Sequence, residues 1–226
     1  MSNSAPQPSA ASDELSGKTR NAAFRRPTAI VLFLAAAAAG LAGDLLSKHY
    51  VFECMLSDPA IPCRIESVRR QALVQAGHPE PAPSEVLHLL NLRRRLCPGV
   101  SLTLSTNPGI VFGLAMPRWA VGIVTVATIV LVFVFFAVSG AKARLLHLGL
   151  ACVLAGAMGN LYDRLCARVA LPGDGVIRHR VRDFIDCSEL YYPWVFNVAD
   201  ALLVVGAAML VLYSFLADRR ARRKAH

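Results

Sequence analysis

The stretch LAGAMGNLYDRLCA, residues 154–167, begins as an apolar helix of small residues and then becomes polar. Asn160, Asp163 and Arg164 follow at three- and four-residue spacing. Because residues three and four apart share a helix face, these side chains and Gly156 line one stripe. A glycine on such a stripe lets a neighbouring helix or a substrate backbone come close. The stretch therefore predicts a helix that ends either in a simple Asp–Arg cap or at the edge of a polar site.

The chain around this stretch is strongly apolar. It has 226 residues, of which 55% are hydrophobic and 17% are charged, whereas a soluble domain usually carries about 25% charged residues. The apolar residues form four blocks, 28–46, 119–139, 145–161 and 194–216, each near the ~20 residues needed to cross a bilayer. The first block also fits a signal peptide, but the other three predict a polytopic protein in either case. The fold class expected is an all-α membrane protein, a bundle of four transmembrane helices.

The segments outside these blocks indicate the domain organisation and the sidedness. Residues 1–24 are rich in Ser, Ala, Pro and Asn and are predicted to be disordered. Residues 25–217 form the transmembrane domain, and residues 218–226 are a basic tail. Four spans place both termini on one side, and the basic residues of the short loop after the second span favour the cytoplasm.

The charge of the chain points to lipid and not to nucleic acid. The net charge is +9, and the arginines mostly flank the apolar blocks, where anionic lipid headgroups are their expected neighbours. The sequence contains no zinc-type cysteine pair, no phosphate-binding loop and no basic patch interleaved with aromatic residues. These features exclude a nucleic-acid-binding module.

The long loop 47–118 is predicted to hold structure of its own. The segments DPAIPC and GHPEPAPSEV are turn-like, and RIESVRRQALVQ between them predicts a short helix. The segment VSLTLST, residues 100–106, alternates apolar and polar residues, which predicts a half-exposed strand at the membrane surface. Five cysteines lie outside the apolar blocks, Cys54, Cys63, Cys97, Cys166 and Cys187. An odd count cannot pair completely within the chain, so their pairing is left open.

Polar residues in the apolar blocks are expected to meet at one membrane face. Asp44 and Lys48 share a helix face at the end of the first span, and Asn197 and Asp200 do so at the start of the fourth. Spans one and three end, and span four begins, at the face that also receives NPGIVFG, residues 107–113. Taken singly, these residues also fit an interfacial ion pair or a protonated carboxyl. Their convergence favours a functional site.

Two acids in this cluster, Asp163 and Asp200, share the spacing Asn-x-x-Asp. If two carboxyl groups lie within a few ångströms, one pKa rises and the other stays low. Such a pair can activate water against an amide, because the ionised carboxylate takes the water proton and the protonated acid polarises the carbonyl. The same pair can relay protons in a transporter, and the polar ends could also be purely structural. Spacing alone does not separate these alternatives.

Five motifs together resemble the family of lipoprotein signal peptidase (signal peptidase II), the intramembrane aspartyl proteases of bacteria. They are GDLLSK (43–48), NPGIVFG (107–113), GAMGNLYDR (156–164), VRDF (181–184) and FNVAD (196–200). The resemblance implies four transmembrane helices with a small periplasmic β element and a mobile periplasmic helix. It implies cleavage of prolipoproteins just before a diacylglyceryl-modified cysteine, at the periplasmic face of the inner membrane. It implies no metal or cofactor, and inhibition by globomycin.

The resemblance also implies roles for single residues. Asp163 and Asp200 would be the catalytic pair, and Asn160, Asn197 and Arg164 would orient it. Asp183 would be either a catalytic support or a structural acid. Further residues match the motifs and would support the substrate or the site: Asp44, Lys48, Asn107, Gly109, Gly156, Phe196 and Ala199. Segments 49–99 and 165–182 are longer than the family pattern, and the second is where the lid is expected.

Overall fold

The computed structural model describes residues 22–76, 80–111, 114–115 and 117–225. The expected disorder of residues 1–21 lies outside this range. The helices are α1 (Pro27–Leu56), α2 (Ile61–Ala76), α3 (Pro83–Leu89), α4 (Arg118–Val138), α5 (Arg144–Leu165) and α6 (Val198–Ala225). The strands are β1 (Arg93–Cys97), β2 (Val100–Asn107), β3 (Ile110–Val111), β4 (Leu114–Ala115), β5 (Arg168–Ala170), β6 (Val176–Arg178), β7 (Val181–Asp186) and β8 (Val195–Phe196).

Four helices, α1, α4, α5 and α6, are long and apolar enough to cross a membrane. The expectation of a mostly helical membrane protein with four spans is thus confirmed. Helix α1 runs ten residues beyond the predicted end of its span at 46, and its 30 residues correspond to about 45 Å. This length exceeds the ~30 Å thickness of the hydrocarbon core, so the C-terminal end of α1 extends beyond the apolar layer. Helix α6 begins at Val198 and not at 194, because Val195 and Phe196 pair with β7.

Helix α5 lies at the centre of the bundle and packs against α1, α4 and α6. In its most apolar stretch of 18 residues, 56% of the residues are buried, compared with 11–22% in the other three helices. Small residues make this possible. A Cβ added at Gly156 would lie 2.4 Å from the carbonyl oxygen of Ala199, and one at Gly206 would lie 2.8 Å from the carbonyl oxygen of Gly149. Helices α5 and α6 therefore touch backbone to backbone.

The polar end of the bundle carries a four-stranded antiparallel sheet in the order β1-β2-β7-β8. The predicted strand 100–106 is confirmed as β2, and the predicted helix between the two turn-like segments is confirmed as α2. The turn expected through GHPEPAPSEV is wrong for its last part, because Pro83 begins helix α3. Strand β1, the basic segment RRRLC, was not predicted. It pairs with β2 and buries none of its residues, so it shows no alternating pattern.

The two segments that are longer than the family pattern pack against each other. Segment 165–182 forms the β5–β6 hairpin, and it shares one hydrophobic core with α2 and α3. Arg69 of α2 also pairs with Asp174 in the hairpin turn. The shared core consists of Val51, Phe52, Ile61, Ile65, Val86, Leu87, Leu90, Leu92, Leu104, Val169, Leu171, Ile177 and Phe184. We call α2, α3, the β5–β6 hairpin and this shared core the cap. The helices outside the bundle thus come from the first long loop, and the expected lid segment is a hairpin.

The ends of the described chain differ from the expected boundaries. Ala22 bridges to Gly140, and the N–H of Ala23 donates to the carbonyl of Ser139 at 2.8 Å. Ordered structure therefore begins inside the segment 1–24 that was expected to be disordered. The basic tail continues helix α6 to Ala225. All six cysteines lie in the described part of the chain, and each has a free thiol.

We predict that Gly156→Ala destabilises the bundle by about 1–3 kcal/mol, because the new methyl group would overlap the Ala199 backbone. Gly43→Ala is the matched control, since a Cβ at Gly43 meets nothing within 4 Å. Thermal unfolding of both variants in detergent micelles measures the difference. Equal stability of the two variants would contradict the close approach of α5 and α6.

Candidate active site

The polar residues of the spans meet at one end of the bundle, as the sequence predicted. Helix α1 brings Asp44 and Lys48, α5 brings Asn160, Asp163 and Arg164, and α6 brings Asp200 next to Asn197, the residue that precedes the helix. Strand β7 adds Arg182 and Asp183. Most of these side chains are buried, whereas Arg164 and Asp200 are partly exposed. The face of the cluster that remains accessible is therefore the face with Asp200.

A chain of four buried charges crosses the cluster. Lys48 Nζ lies 2.8 Å from Asp44 Oδ2 and 3.2 Å from Asp163 Oδ2. On the other side of Asp163, the Arg182 guanidinium donates to Oδ1 from Nε at 3.1 Å and from a terminal nitrogen at 2.7 Å. Asp44, Lys48 and Asp163 are completely buried, and Arg182 nearly so. Negative and positive side chains alternate in this series of contacts, so the four charges compensate one another.

Asp163 is saturated by these contacts. Its Oδ2 also accepts the backbone N–H of Arg182 at 3.0 Å, in addition to Lys48. Within the described residues, no hydrogen bond joins Asp163 to Asp200, the partner that the sequence suggested. The structure instead uses Asp163 to hold strand β7 against helices α1 and α5. We call the contacts between Asp163 and Arg182 the clamp.

Arg182 is a site residue that the sequence reasoning missed. Strand alternation sends Arg182 and Asp183 to opposite sides of β7, so the arginine reaches Asp163 while the acid faces Asn197. The signal was present in VRDF, because a lone basic residue inside an apolar strand needs a buried acid as its partner. Sequence alone did not indicate which acid that was.

Two asparagines connect the remaining acids. Asn160 donates from Nδ2 to Asp200 Oδ1 at 2.8 Å, and its Oδ1 accepts from Lys48 Nζ at 3.1 Å. Asn197 donates from Nδ2 to Asp183 Oδ1 at 2.6 Å and to Asn160 Oδ1 at 3.3 Å. The Asn197 side chain also accepts the N–H of Asp200 at 3.0 Å, which caps helix α6. Asp183 and Asp200 are therefore held by one continuous amide network.

Asp183 has a perturbed acidity. Its side chain is only 4% exposed. Burial, followed by the negative charge of Asp200, raises the pKa of Asp183 from its ordinary value to about 7. The hydrogen bond from Asn197 opposes this rise but does not cancel it. Asp200 is thus the acid whose charge most strongly raises the pKa of Asp183.

The other expected site residues have mainly positioning contacts. Asp44 Oδ1 accepts the N–H of Ala199 at 2.8 Å, which ties α1 to the start of α6. Asn107 ends β2 opposite Val181, and its Oδ1 accepts the N–H of Gly109, whose φ is +134°. Phe196 is half-buried, and its ring lies 5.6 Å from that of Tyr192.

The space beside the two glycines of GAMGN is occupied by other atoms of the protein. Ala199 fills the space beside Gly156, and the Asp44 carboxylate lies 2.3 Å from a Cβ built on Gly159. Of the two uses considered for these glycines, helix packing is the one observed. Arg164 donates to the carbonyl of its own Asn160 at 3.0 Å, so it extends the site without forming an Asp163–Arg164 cap in the described structure.

We predict that Arg182→Met alone destabilises the protein by about 3–5 kcal/mol, because it leaves Asp163 with less than its full charge compensation. Adding Asp163→Asn should recover part of this loss, since Asp44 and Lys48 remain as a neutral pair. Thermal unfolding of both single variants and the double variant gives the coupling free energy. Arg178→Met, at an exposed position of strand β6, is the control. Strict additivity of the two changes would refute the clamp.

Comparison with known proteins agrees with this geometry. A family model described as Signal peptidase (SPase) II matches residues 36–216. The lipoprotein signal peptidase of Caulobacter vibrioides is 38% identical over 124 residues, which is 53% of this chain and 66% of that protein. Those of Beijerinckia indica and Serratia proteamaculans are 34% and 32% identical, covering 55% and 60% of this chain and 70% and 79% of theirs.

A solved structure of a bacterial membrane enzyme has a similar fold. It aligns with a TM-score of 0.54 at 18% identity, covering 84% of this chain and 90% of its own. At this identity the likeness concerns the fold alone. The family model, however, spans well over half of the chain and includes all five motifs and every expected site residue. The chain therefore belongs to the signal peptidase II family.

Proposed function

We propose that this protein is an aspartic endopeptidase that removes signal peptides from diacylglyceryl-modified prolipoproteins. The observation that carries this proposal is the network joining Asp183 and Asp200 at one end of an apolar bundle. The family and the names of the relatives support the same reaction and substrate class. The site would face the periplasm from the inner membrane, with both termini in the cytoplasm.

The reacting pair in this proposal is Asp183 and Asp200. The sequence had suggested Asp163 and Asp200, with Asp183 as a support or a structural acid. Asp163 is fully buried and bound on both oxygens by Lys48 and Arg182. A buried carboxylate whose two oxygens are both held by cations has no free edge for water or substrate. Asp183 and Asp200 instead share a network, and Asp200 is partly exposed to the outside of the cluster.

The two acids would divide the chemistry between them. Asp183, with its raised pKa, holds a proton and donates a hydrogen bond to the scissile carbonyl oxygen. Asp200, as the ionised partner, accepts a proton from water, and that water oxygen attacks the carbonyl carbon. Transfer of this proton from Asp200 to the amide nitrogen then lets the C–N bond break, and Asp200 is again a carboxylate. Asn160 and Asn197 keep both carboxyl groups oriented throughout.

The place of the site suits a lipid-anchored substrate. The cluster lies at the ends of apolar helices, so a signal peptide in the bilayer would present its cleavage site at the level of Asp200. Apolar side chains on the outer faces of α1, α4 and α6 would receive the acyl chains and the surrounding membrane lipids by hydrophobic burial. Globomycin-type inhibitors would compete at the same place, as the family resemblance implies.

A proton-coupled transporter was the alternative, and the helices do not favour it. A relay across the membrane needs polar groups at intervals along a path. Between His147 and Asn160, helix α5 holds only apolar or small residues, LGLACVLAGAMG. Along the central helix, the twelve residues between His147 and Asn160 therefore offer no polar side chain that could relay a proton.

We predict that Asp183→Asn and Asp200→Asn each lower cleavage of a lipidated prolipoprotein by about a thousandfold or more. Both variants should keep their fold, because Asn retains the hydrogen-bonding shape. Asp163→Asn should instead lose stability, while its folded fraction still cleaves. The measurement is the cleavage rate per folded molecule in micelles.

Asp186→Asn in the same strand is the control for this comparison, because its carboxyl accepts from Ser188 and not from the network. A fully active Asp183→Asn enzyme beside a folded, inactive Asp163→Asn enzyme would restore the assignment made from the sequence. Full activity of the Asp200→Asn variant would remove the aspartic mechanism altogether.

We also predict a pH-dependent stability difference between Asp183→Asn and the wild type. In the wild type, Asp183 ionises near pH 7 when folded but near its ordinary pKa of 3.8 when unfolded. Between these values the folded state binds more protons, so this group's contribution to stability falls as the pH rises. Asparagine has no such ionisation. The Tm of the variant relative to the wild type should therefore increase from pH 4 to about pH 7 and stay constant above it; a constant difference would contradict the raised pKa.

A further inference from the structure

At the end of the bundle opposite the acids, the segment before α1 packs against the α4–α5 loop. Residues 22–26 lie against the loop that joins α4 to α5, held by the Ala22–Gly140 bridge and by the hydrogen bond from Ala23 to Ser139. Ala23 is completely buried in this contact. The chain before α1 and the chain before α5 therefore form one fixed edge. This edge brings Arg26 and the basic residues of the loop to the same side.

A cavity of about 930 Å³ opens beside this edge. Its rim carries Arg26, Lys142 and Arg144, and its wall is formed by Leu32, Phe33 and Ala36 of α1 with Leu148 of α5. One buried polar side chain in the lining, His147, is already hydrogen-bonded to Ser139 Oγ at 2.8 Å. The cavity thus has a cationic mouth and an apolar floor that runs along a membrane helix. We call it the basal groove.

The positive charge at the mouth is not compensated within the described part of the chain. No ion pair there involves any of the three cations at the rim. The first turns of α1 and α5 contain no acidic residue. All three basic side chains are exposed. An occupant that neutralises them must bring negative charge to the mouth and apolar surface to the floor.

We propose that the basal groove binds one anionic glycerophospholipid. Its phosphate would lie among Arg26, Lys142 and Arg144, and one acyl chain would follow Leu32, Phe33 and Ala36 down the wall. Charge complementarity selects the headgroup, because each basic residue near an anionic lipid strengthens its binding. The groove lies at the end of the bundle away from Asp183 and Asp200. The inference rests on the four membrane helices and not on the peptidase mechanism.

The test uses full-length protein in mild detergent, with thermal unfolding measured during titration of phosphatidylglycerol or phosphatidylcholine. Phosphatidylglycerol should raise the Tm at concentrations where phosphatidylcholine does not. The triple variant Arg26→Gln, Lys142→Gln, Arg144→Gln should bind it at least about tenfold more weakly. The single variant Lys142→Gln, in an exposed loop position, should show an intermediate loss if the triple variant is poorly folded.

The matched control removes the same charge from the tail, by Arg219→Gln, Arg220→Gln and Arg223→Gln, none of which lines the groove. This variant should keep the phosphatidylglycerol shift. The proposal is overturned if both lipids act equally, if the tail variant loses as much as the groove variant, or if inorganic phosphate alone reproduces the shift. It is also overturned if the shift appears only after residues 2–20 are removed, because the protein's own N-terminal segment would then occupy the groove.

Discussion

The structure depends on a chain of alternating charges buried between the membrane bundle and its sheet. Lys48 lies between Asp44 and Asp163, and Asp163 lies between Lys48 and Arg182. Charges of this kind are tolerated away from water only when every one has a partner. The Lys48–Asp163 link joins helix α1 to helix α5, and the Asp163–Arg182 link joins helix α5 to strand β7, so these elements cannot separate without leaving a charge unpaired. The position of the site follows from this requirement.

The clamp explains why three neighbouring aspartates have different properties. Asp44 and Asp163 both pair with cations, and Asp44 also accepts the backbone N–H of Ala199 at the start of α6. Asp183 is attached to the strand that the clamp holds, but it faces the amides and not the cations. Its pKa therefore responds to burial and to Asp200. Asp163 and Asp183 thus contact opposite sides of strand β7, one beside cations and the other beside amides.

The two long loops form one structure together, the cap. Neither α2 with α3 nor the β5–β6 hairpin buries a core alone, but together they enclose one, closed by the end of α1 and by strands β2 and β7. Because β7 belongs both to this core and to the candidate site, the cap supports the polar end of the bundle. The opposite end is closed differently, by the segment 22–26 lying on the α4–α5 loop.

The sequence by itself determined the membrane spans, the strand at 100–106 and the face on which the polar residues gather. These features follow from local properties: hydropathy, helical spacing and strand alternation. Its motifs also indicated the family, which the comparisons confirm. It did not determine the start of α6, because strand pairing with β7 took Val195 and Phe196 out of the apolar block. It did not predict β1, whose exposed basic residues show no strand pattern.

Only the tertiary structure decided which acids meet. The shared spacing Asn-x-x-Asp singled out Asp163 as the partner of Asp200, although Asp183 lies nearer to Asp200 along the chain. The choice depends on the arginine that β7 sends to Asp163 and on the amide that Asn197 sends to Asp183. These partners lie 19 and 14 residues apart along the chain, on elements whose rotation is set by packing. Ionisation is governed by such through-space partners and by burial, and neither can be read from the order of residues.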